Sequence, residues 1–110
     1  LMIPGEIYPE IVDGGVESPE GADFPGKPIE APPLRPQMKG ELNLVIGLAN
    51  DEIGYILPRT QWDSKAPYTY GRDKRPYGEI TSGGSGLGPI IYQKSKAILT
   101  ELHNTSGPPK

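Results

Sequence analysis

The chain has 110 residues, a net charge of −3, no cysteine, 15 glycines and 14 prolines. The mildly acidic balance argues against nucleic-acid binding, and the lack of cysteine excludes disulfides and thiolate metal sites. The longest apolar run, Leu44 to Ala49, is far too short to cross a bilayer. We therefore expect one small domain, 1–110, with long irregular loops.

The N-terminal segment predicts an extended start and then a short helical turn. Leu1–Ile3 resembles the end of a strand, which Pro4-Gly5 stops because proline removes a donor and glycine permits a sharp redirection. Glu6 then lies just past that end. Residues 7–12 predict a helical turn with a proline near its start and glycines after it.

A long irregular loop follows over residues 14–40. Its prolines recur at irregular intervals, with no helical or strand periodicity. Such long connections usually cover a site, link two domains or lie on a larger body. We adopt the last interpretation, because neither side of the loop is large enough to fold alone.

The second half predicts a small sheet and one helix. Leu42–Ala49 has the composition of a strand buried on both faces, and Ile53–Leu57 that of a shorter strand. Pro89–Leu102 predicts an amphipathic helix that packs on the sheet. Its apolar stripe contains Ile90, Ile91, Ala97, Ile98 and Leu102. The predicted fold class is α/β or α+β, with a flexible tail at 103–110.

Acidic residues follow two of the predicted strands. Glu6 follows the first, and Asp51 and Glu52 follow the second after Asn50. Such residues commonly start exposed turns, but open α/β sheets also bind ligands at strand ends, so Asn50, Asp51 and Glu52 are a candidate site rim. Tyr55 adds a phenol that could bind a metal, although its position alone favours an ordinary half-buried strand aromatic.

Three motifs occur in the order "IPGEIYPE", "LVIGLANDEIGYILP" and "YGEITSGGSGLGP", the last leading into the predicted helix. Together they resemble the final third of the catalytic domain of the neutral (non-lysosomal) ceramidase family, especially its bacterial members. In that family a Pro-Gly-Glu or similar triplet ends a strand, and a later strand carries a Gly-Tyr pair. The resemblance covers most of the chain.

The resemblance implies a zinc amidohydrolase of lipid metabolism, in which zinc-activated water attacks the amide of an N-acyl sphingoid base. It places the family's glutamate ligand on Glu6 and its tyrosine ligand on Tyr55. A second family tyrosine position is occupied here by Glu52, and a carboxylate ligand there would change the charge at the zinc. The stretch "LPRTQWDSKAPY" also replaces a family motif, which leaves the substrate class open.

Two histidine ligands of the family lie earlier in its domain, whereas this chain has one histidine, His103, in the predicted tail. A catalytic zinc site needs about three protein ligands and an open position. The chain is therefore expected to be the C-terminal fragment of a larger α/β catalytic domain. Alone it should be inactive, with no tightly bound Zn²⁺.

The expected partner is the remainder of that domain, which carries the histidines, and self-association is a further alternative. The resemblance implies secretion or a periplasmic location. An alternative of a different class is that the chain is a non-catalytic binding or scaffold module, which contacts a protein through the Pro-rich loop Ser18–Pro36. The metal content of the complete protein distinguishes the zinc hydrolase from this module.

Overall fold

The structure, a computed structural model, describes residues 1–105 and has the predicted mixed α/β character. A two-stranded parallel sheet, extended by one isolated bridge, packs with two short helices and one long C-terminal helix. The strands and helices in chain order are β1 (Glu6–Ile7), α1 (Pro9–Asp13), β2 (Tyr55–Ile56), α2 (Tyr77–Ile80) and α3 (Leu87–Thr105).

The N-terminal segment lies at the centre of the sheet. β1 pairs with β2 in parallel, with Glu6 beside Tyr55. On the other side of the N-terminal segment, Met2 forms a parallel bridge with Ile46. The prediction that Leu42–Ala49 is a strand buried on both faces is wrong, because this segment lies at the margin of the sheet.

Leu42–Ala49 forms an edge instead. Its large side chains at alternate positions, Leu42, Leu44, Ile46 and Leu48, are between 47% and 77% exposed. The segment leaves extended geometry at Leu48, whose φ is 53°. An apolar run cannot distinguish an edge from a centre, because both need extended backbone and differ only in what covers them.

Glu6 begins β1 rather than following a strand end, which corrects the prediction. The carbonyls of Pro4 and Gly5 accept hydrogen bonds from the backbone N–H groups of Ile53 at 2.9 Å and Leu48 at 3.0 Å. Proline loses a ladder donor but keeps its acceptor. The Pro-Gly pair therefore bends the chain between the Met2 bridge and β1 while its carbonyls still bond to both neighbouring segments.

The helical turn expected over residues 7–12 is confirmed as α1. Pro9 occupies its first turn, where a missing N–H costs nothing. The turn ends at Gly14, whose φ is 107° and whose N–H donates to the Glu10 carbonyl at 3.0 Å. The sequence signals at both ends were sufficient to predict α1, because proline and glycine act on the backbone within a few residues.

The long loop 14–40 wraps the core. Apart from a 3₁₀ turn at Arg35–Gln37, it contains no helix or strand. Its Glu30 is buried and accepts a hydrogen bond from the Arg59 N–H at 3.0 Å. The loop also supplies one member of the buried core cluster, which consists of Ile3, Ile11, Leu34, Ile56 and Tyr92. It is therefore part of the folded body.

α3 is longer than predicted. It extends through Thr105, so the first residues of the expected tail 103–110 are helical, and residues 106–110 lie outside the described part of the chain. Neither α3 nor any other helix within residues 1–105 is long and apolar enough to cross a membrane.

α3 also buries a different face from the predicted stripe. Its buried residues are Gly88, Pro89, Tyr92, Ser95 and Leu99, whereas most of the stripe is exposed, namely Ile90, Ala97, Ile98 and Leu102. A Cβ on Gly88 would lie 1.9 Å from the Leu57 carbonyl oxygen, so glycine lets the helix backbone touch the chain just after β2. The Tyr92 ring fills the core, and its hydroxyl donates to the Pro32 carbonyl at 2.7 Å.

One face of the sheet is covered and the other is open. Ile3 and Ile56 belong to the core, whereas the paired residues Met2 and Ile46 are 65% and 47% exposed. The radius of gyration, 15.3 Å, exceeds the roughly 13 Å expected for a compact domain of this length. The fold leaves apolar surface without a covering layer.

Candidate functional site

Glu6 and Tyr55 stand side by side on the open face of the sheet. They are register partners at the start of β1 and β2, and their neighbours Ile7 and Ile56 pack towards the core. The nearby Glu6 carboxylate is the main cause that raises the pKa of Tyr55. The two residues singled out in the sequence are therefore direct neighbours that interact through the sheet register.

An open cavity of about 480 Å³ adjoins the pair. Gly54 shapes it, because its φ is +89° and a Cβ there would lie 2.0 Å from the Thr81 carbonyl oxygen. The chain after α2 consequently lies directly against the start of β2. The residues lining the cavity are Glu6, Glu52, Ile53, Gly54, Tyr55, Tyr77 and Thr81. Carboxylates and phenols therefore share one water-accessible space.

Of the predicted rim residues, Glu52 lines this cavity, whereas Asn50 and Asp51 do not. The Asp51 carboxylate accepts a hydrogen bond from the Glu52 N–H at 2.8 Å, as a turn residue does. Glu52 Oε1 in turn accepts from the Gly54 N–H at 2.8 Å. Asn50 adopts a left-handed φ of 68°. The loop therefore holds one carboxylate at the cavity and uses the other to form its turn.

A row of three tyrosines borders the site. The Tyr55 ring packs edge-on against Tyr8 and Tyr77, with centroid separations of 6.3 Å and 5.6 Å. All three rings also line a second cavity of about 430 Å³, together with the basic loop 72–75. The sequence analysis missed Tyr8 and Tyr77, because their spacing along the chain carries no signal of contact.

Buried carboxylates lie close to that basic loop. Asp63 Oδ2 accepts hydrogen bonds from the Thr69 N–H at 2.5 Å and hydroxyl at 2.7 Å, whereas Oδ1 has no partner among the described residues. Glu79 is buried as well, and burial raises the pKa of its carboxyl, an effect that Arg72 and Arg75 oppose. The sequence analysis did not single out either carboxylate.

Within residues 1–105, no group of three or more His, Cys, Asp or Glu side chains is placed to hold a metal ion. Glu6, Tyr55 and Glu52 offer oxygen donors on one cavity. Catalytic zinc sites usually combine such donors with imidazoles. The residues that line this cavity include no imidazole.

No family model, curated protein or solved structure matches this chain.

We expect Glu6→Gln to lower the pKa of Tyr55 towards 10, because the carboxylate that favours the protonated phenol loses its charge. Since the folded-state pKa is raised, the pair stabilises the fold below pH 10, and that contribution disappears as pH rises through the folded-state value. Carbon-13 NMR titration of the Tyr55 ring measures the pKa of Tyr55 in each variant. Glu20→Gln, at an exposed position, is the control, and equal Tyr55 pKa values in wild type and Glu6→Gln would contradict the interaction between Glu6 and Tyr55.

Proposed function

We propose that this chain is the part of a zinc-dependent amidohydrolase resembling the neutral ceramidases that supplies the glutamate and tyrosine ligands, Glu6 and Tyr55. The observation that carries the proposal is their placement as register partners on one sheet face. The two motifs that contain Glu6 and Tyr55 lie far apart in the sequence. A shared zinc ion requires the two side chains to be close, and their separation along the chain does not by itself bring them together.

Residues of this chain position the glutamate and tyrosine ligands of the proposed zinc centre. The short loop before β2 holds Glu52 beside the Glu6–Tyr55 pair, and the edge-on packing of Tyr8 and Tyr77 orients the Tyr55 ring. Zinc, when bound, supplies a Lewis acid that activates water and polarises the amide carbonyl. Tyr55 would then lose its phenolic proton more readily, because a nearby cation favours the phenolate.

The open sheet face supports the need for a second part. Parallel sheets are normally covered on both faces, yet Met2, Leu44 and Ile46 are largely exposed on the same face as Glu6 and Tyr55. A layer that covers these apolar side chains would also lie next to the Glu6–Tyr55 pair. The remainder of the domain, with its histidines, is the partner that the ligand count demands.

The alternative, a scaffold module that binds through Ser18–Pro36, has less support. Several residues of this loop are buried, among them Ala22, Glu30 and Leu34. A segment used to fill the core offers less of its surface to a protein partner.

The proposal is tested by assaying hydrolysis of an N-acyl sphingosine by this chain combined with a segment that supplies the histidines. We expect activity that is lost on chelation and restored by Zn²⁺, and none from the 110-residue chain alone. Activity that survives complete removal of metal would overturn the zinc proposal, and a zinc-loaded protein without amidase activity would overturn the reaction.

A further inference from the structure

The second cavity beside the tyrosine row combines aromatic rings with basic side chains. It measures about 430 Å³ and is lined by Tyr8, Tyr55, Tyr77 and the loop 72–75. Cavities of this size accept small molecules, which usually contact apolar or aromatic walls and a few well-placed polar groups. The chemistry of the lining residues therefore indicates which small molecule would fit.

The basic side chains of the loop have no acidic partner. Arg72, Lys74 and Arg75 are exposed, and none of them forms a salt bridge with another residue of the described range 1–105. Asp73 is the one acidic residue among these four, so the loop has an excess of two positive charges in a chain whose net charge is −3. Positive charge concentrated at one cavity of an acidic chain attracts an anion.

Aromatic rings hold the two guanidinium groups and leave most of their donors unused. Arg72 Cζ lies 5.2 Å from the centroid of the Tyr70 ring, and Arg75 Cζ lies 5.9 Å from that of Trp62. Arg75 Nη2 also donates to the Glu79 carbonyl at 3.2 Å. Burial raises the pKa of the nearby Glu79 carboxyl, so it competes with a bound anion less than an exposed carboxylate would. The remaining N–H groups are available to an oxyanion.

The Tyr8 hydroxyl is a further donor at this cavity. A Cβ on Gly78, which also lines the cavity, would lie 2.5 Å from this hydroxyl oxygen, so glycine lets the phenol approach α2. The hydroxyl has no hydrogen-bond partner within the part of the chain that the structure describes. Burial, and after it the Glu79 carboxyl, raise the pKa of Tyr8, so the phenol keeps its proton at neutral pH.

We propose that this cavity binds a small phosphate monoester attached to a planar ring. The phosphate accepts hydrogen bonds from Arg72, Arg75 and the Tyr8 hydroxyl, and Lys74 adds a positive charge. The planar fork of arginine matches the oxygens of a phosphate, whose charge approaches −2 and so balances the excess charge of the loop.

The tyrosine row provides the surface for the ring of the ligand. Tyrosine faces stack planar groups without requiring one particular ring. A simple aryl phosphate and a mononucleotide both combine such a ring with a phosphate monoester. This site does not depend on the proposed zinc chemistry, because none of its anion-binding residues is a proposed zinc ligand.

NMR titration of the tyrosine rings in the 110-residue chain tests the proposal with matched ligands. We expect phenyl phosphate to bind with a dissociation constant on the order of 1 mM. Phenyl sulfate has the same shape but a single charge, and inorganic phosphate lacks the ring, so each should bind about fivefold more weakly or worse. Adenosine monophosphate separates the two sources, since it should bind more tightly than phenyl phosphate if the natural ligand is a nucleotide and more weakly if it is a smaller ester.

Three variants locate the site. Arg72→Gln, Lys74→Gln and Tyr8→Phe should each weaken the binding of phenyl phosphate about threefold or more, because each removes a charge or a donor. Lys39→Gln is the matched control, since Lys39 is an exposed cation that does not line the cavity, and it should leave the affinity unchanged. Circular dichroism checks that the variants fold.

Two kinds of result would overturn the proposal. The first is the absence of phenyl phosphate binding at concentrations tenfold above the expected dissociation constant, or binding no tighter than that of inorganic phosphate or phenyl sulfate. The second is binding that the folded Lys74→Gln and Tyr8→Phe variants retain in full, or that Lys39→Gln weakens as much as they do.

Discussion

Replacing Gly88 by alanine should destabilise the fold by about 3 kcal/mol, the upper end of the usual cost of overpacking. The added Cβ would lie 1.9 Å from the Leu57 carbonyl oxygen and 3.2 Å from Glu30 Oε1. Both neighbours are buried, and one is backbone, so the start of α3 must move away from the end of β2. Tyr92, one turn further along α3, would then lose part of its packing. Urea unfolding followed by circular dichroism measures the loss.

Gly86→Ala is the matched control, because a Cβ at Gly86 meets nothing within 4 Å. It should change the free energy of unfolding by no more than about 0.5 kcal/mol, as surface substitutions usually do. Equal stability of the two alanine variants would show that α3 does not touch β2 as closely as described.

In a complete enzyme that contains this chain, Glu6→Gln should abolish zinc binding and lower amidase activity by roughly 10²–10³-fold. A Lewis-acid metal is worth several kcal/mol of transition-state stabilisation, and each 1.36 kcal/mol is tenfold in rate. An amide is a much poorer ligand than a carboxylate of the same shape. Zinc content by elemental analysis and hydrolysis of an N-acyl sphingosine measure the two effects separately.

Glu52→Gln and Tyr55→Phe decide which residue is the second ligand. If Tyr55 binds zinc, Tyr55→Phe should lose metal and Glu52→Gln should keep it, with the reverse outcome if the ligand role has moved to Glu52. Asp51→Asn is the control, because Asp51 forms the turn and does not line the cavity. Full zinc occupancy after Glu6→Gln would end the hypothesis.

The pairing of Glu6 with Tyr55 was the most informative expectation available from the sequence. It came from the order of motifs that resemble the ceramidase family, and the parallel register of β1 and β2 agrees with it. The predicted position of Glu6 was partly wrong, since Glu6 lies within the hydrogen-bonded ladder and not beyond a strand end. Local signals cannot reveal that Pro4 and Gly5 still offer carbonyls to neighbours on both sides.

Burial was the property that sequence patterns judged least well. The most aliphatic segment, Leu42–Ala49, is an exposed edge, and the aliphatic stripe of α3 faces outward. The face of α3 that is buried contains Gly88 and Ser95, whose small side chains allow close approach. Periodicity counts apolar residues, whereas burial depends on which surfaces fit together.

What the sequence determined by itself is local. Pro9 and Gly14 set the bounds of α1, and the irregular prolines of 14–40 keep that stretch from regular structure, because their dihedral preferences act within a few residues. Tertiary structure alone decided which strand is central, which face of α3 is buried and that Tyr8 and Tyr77 flank Tyr55. These features depend on contacts between distant segments, where backbone hydrogen bonds and the fit of side chains select one arrangement among several that local preferences allow equally.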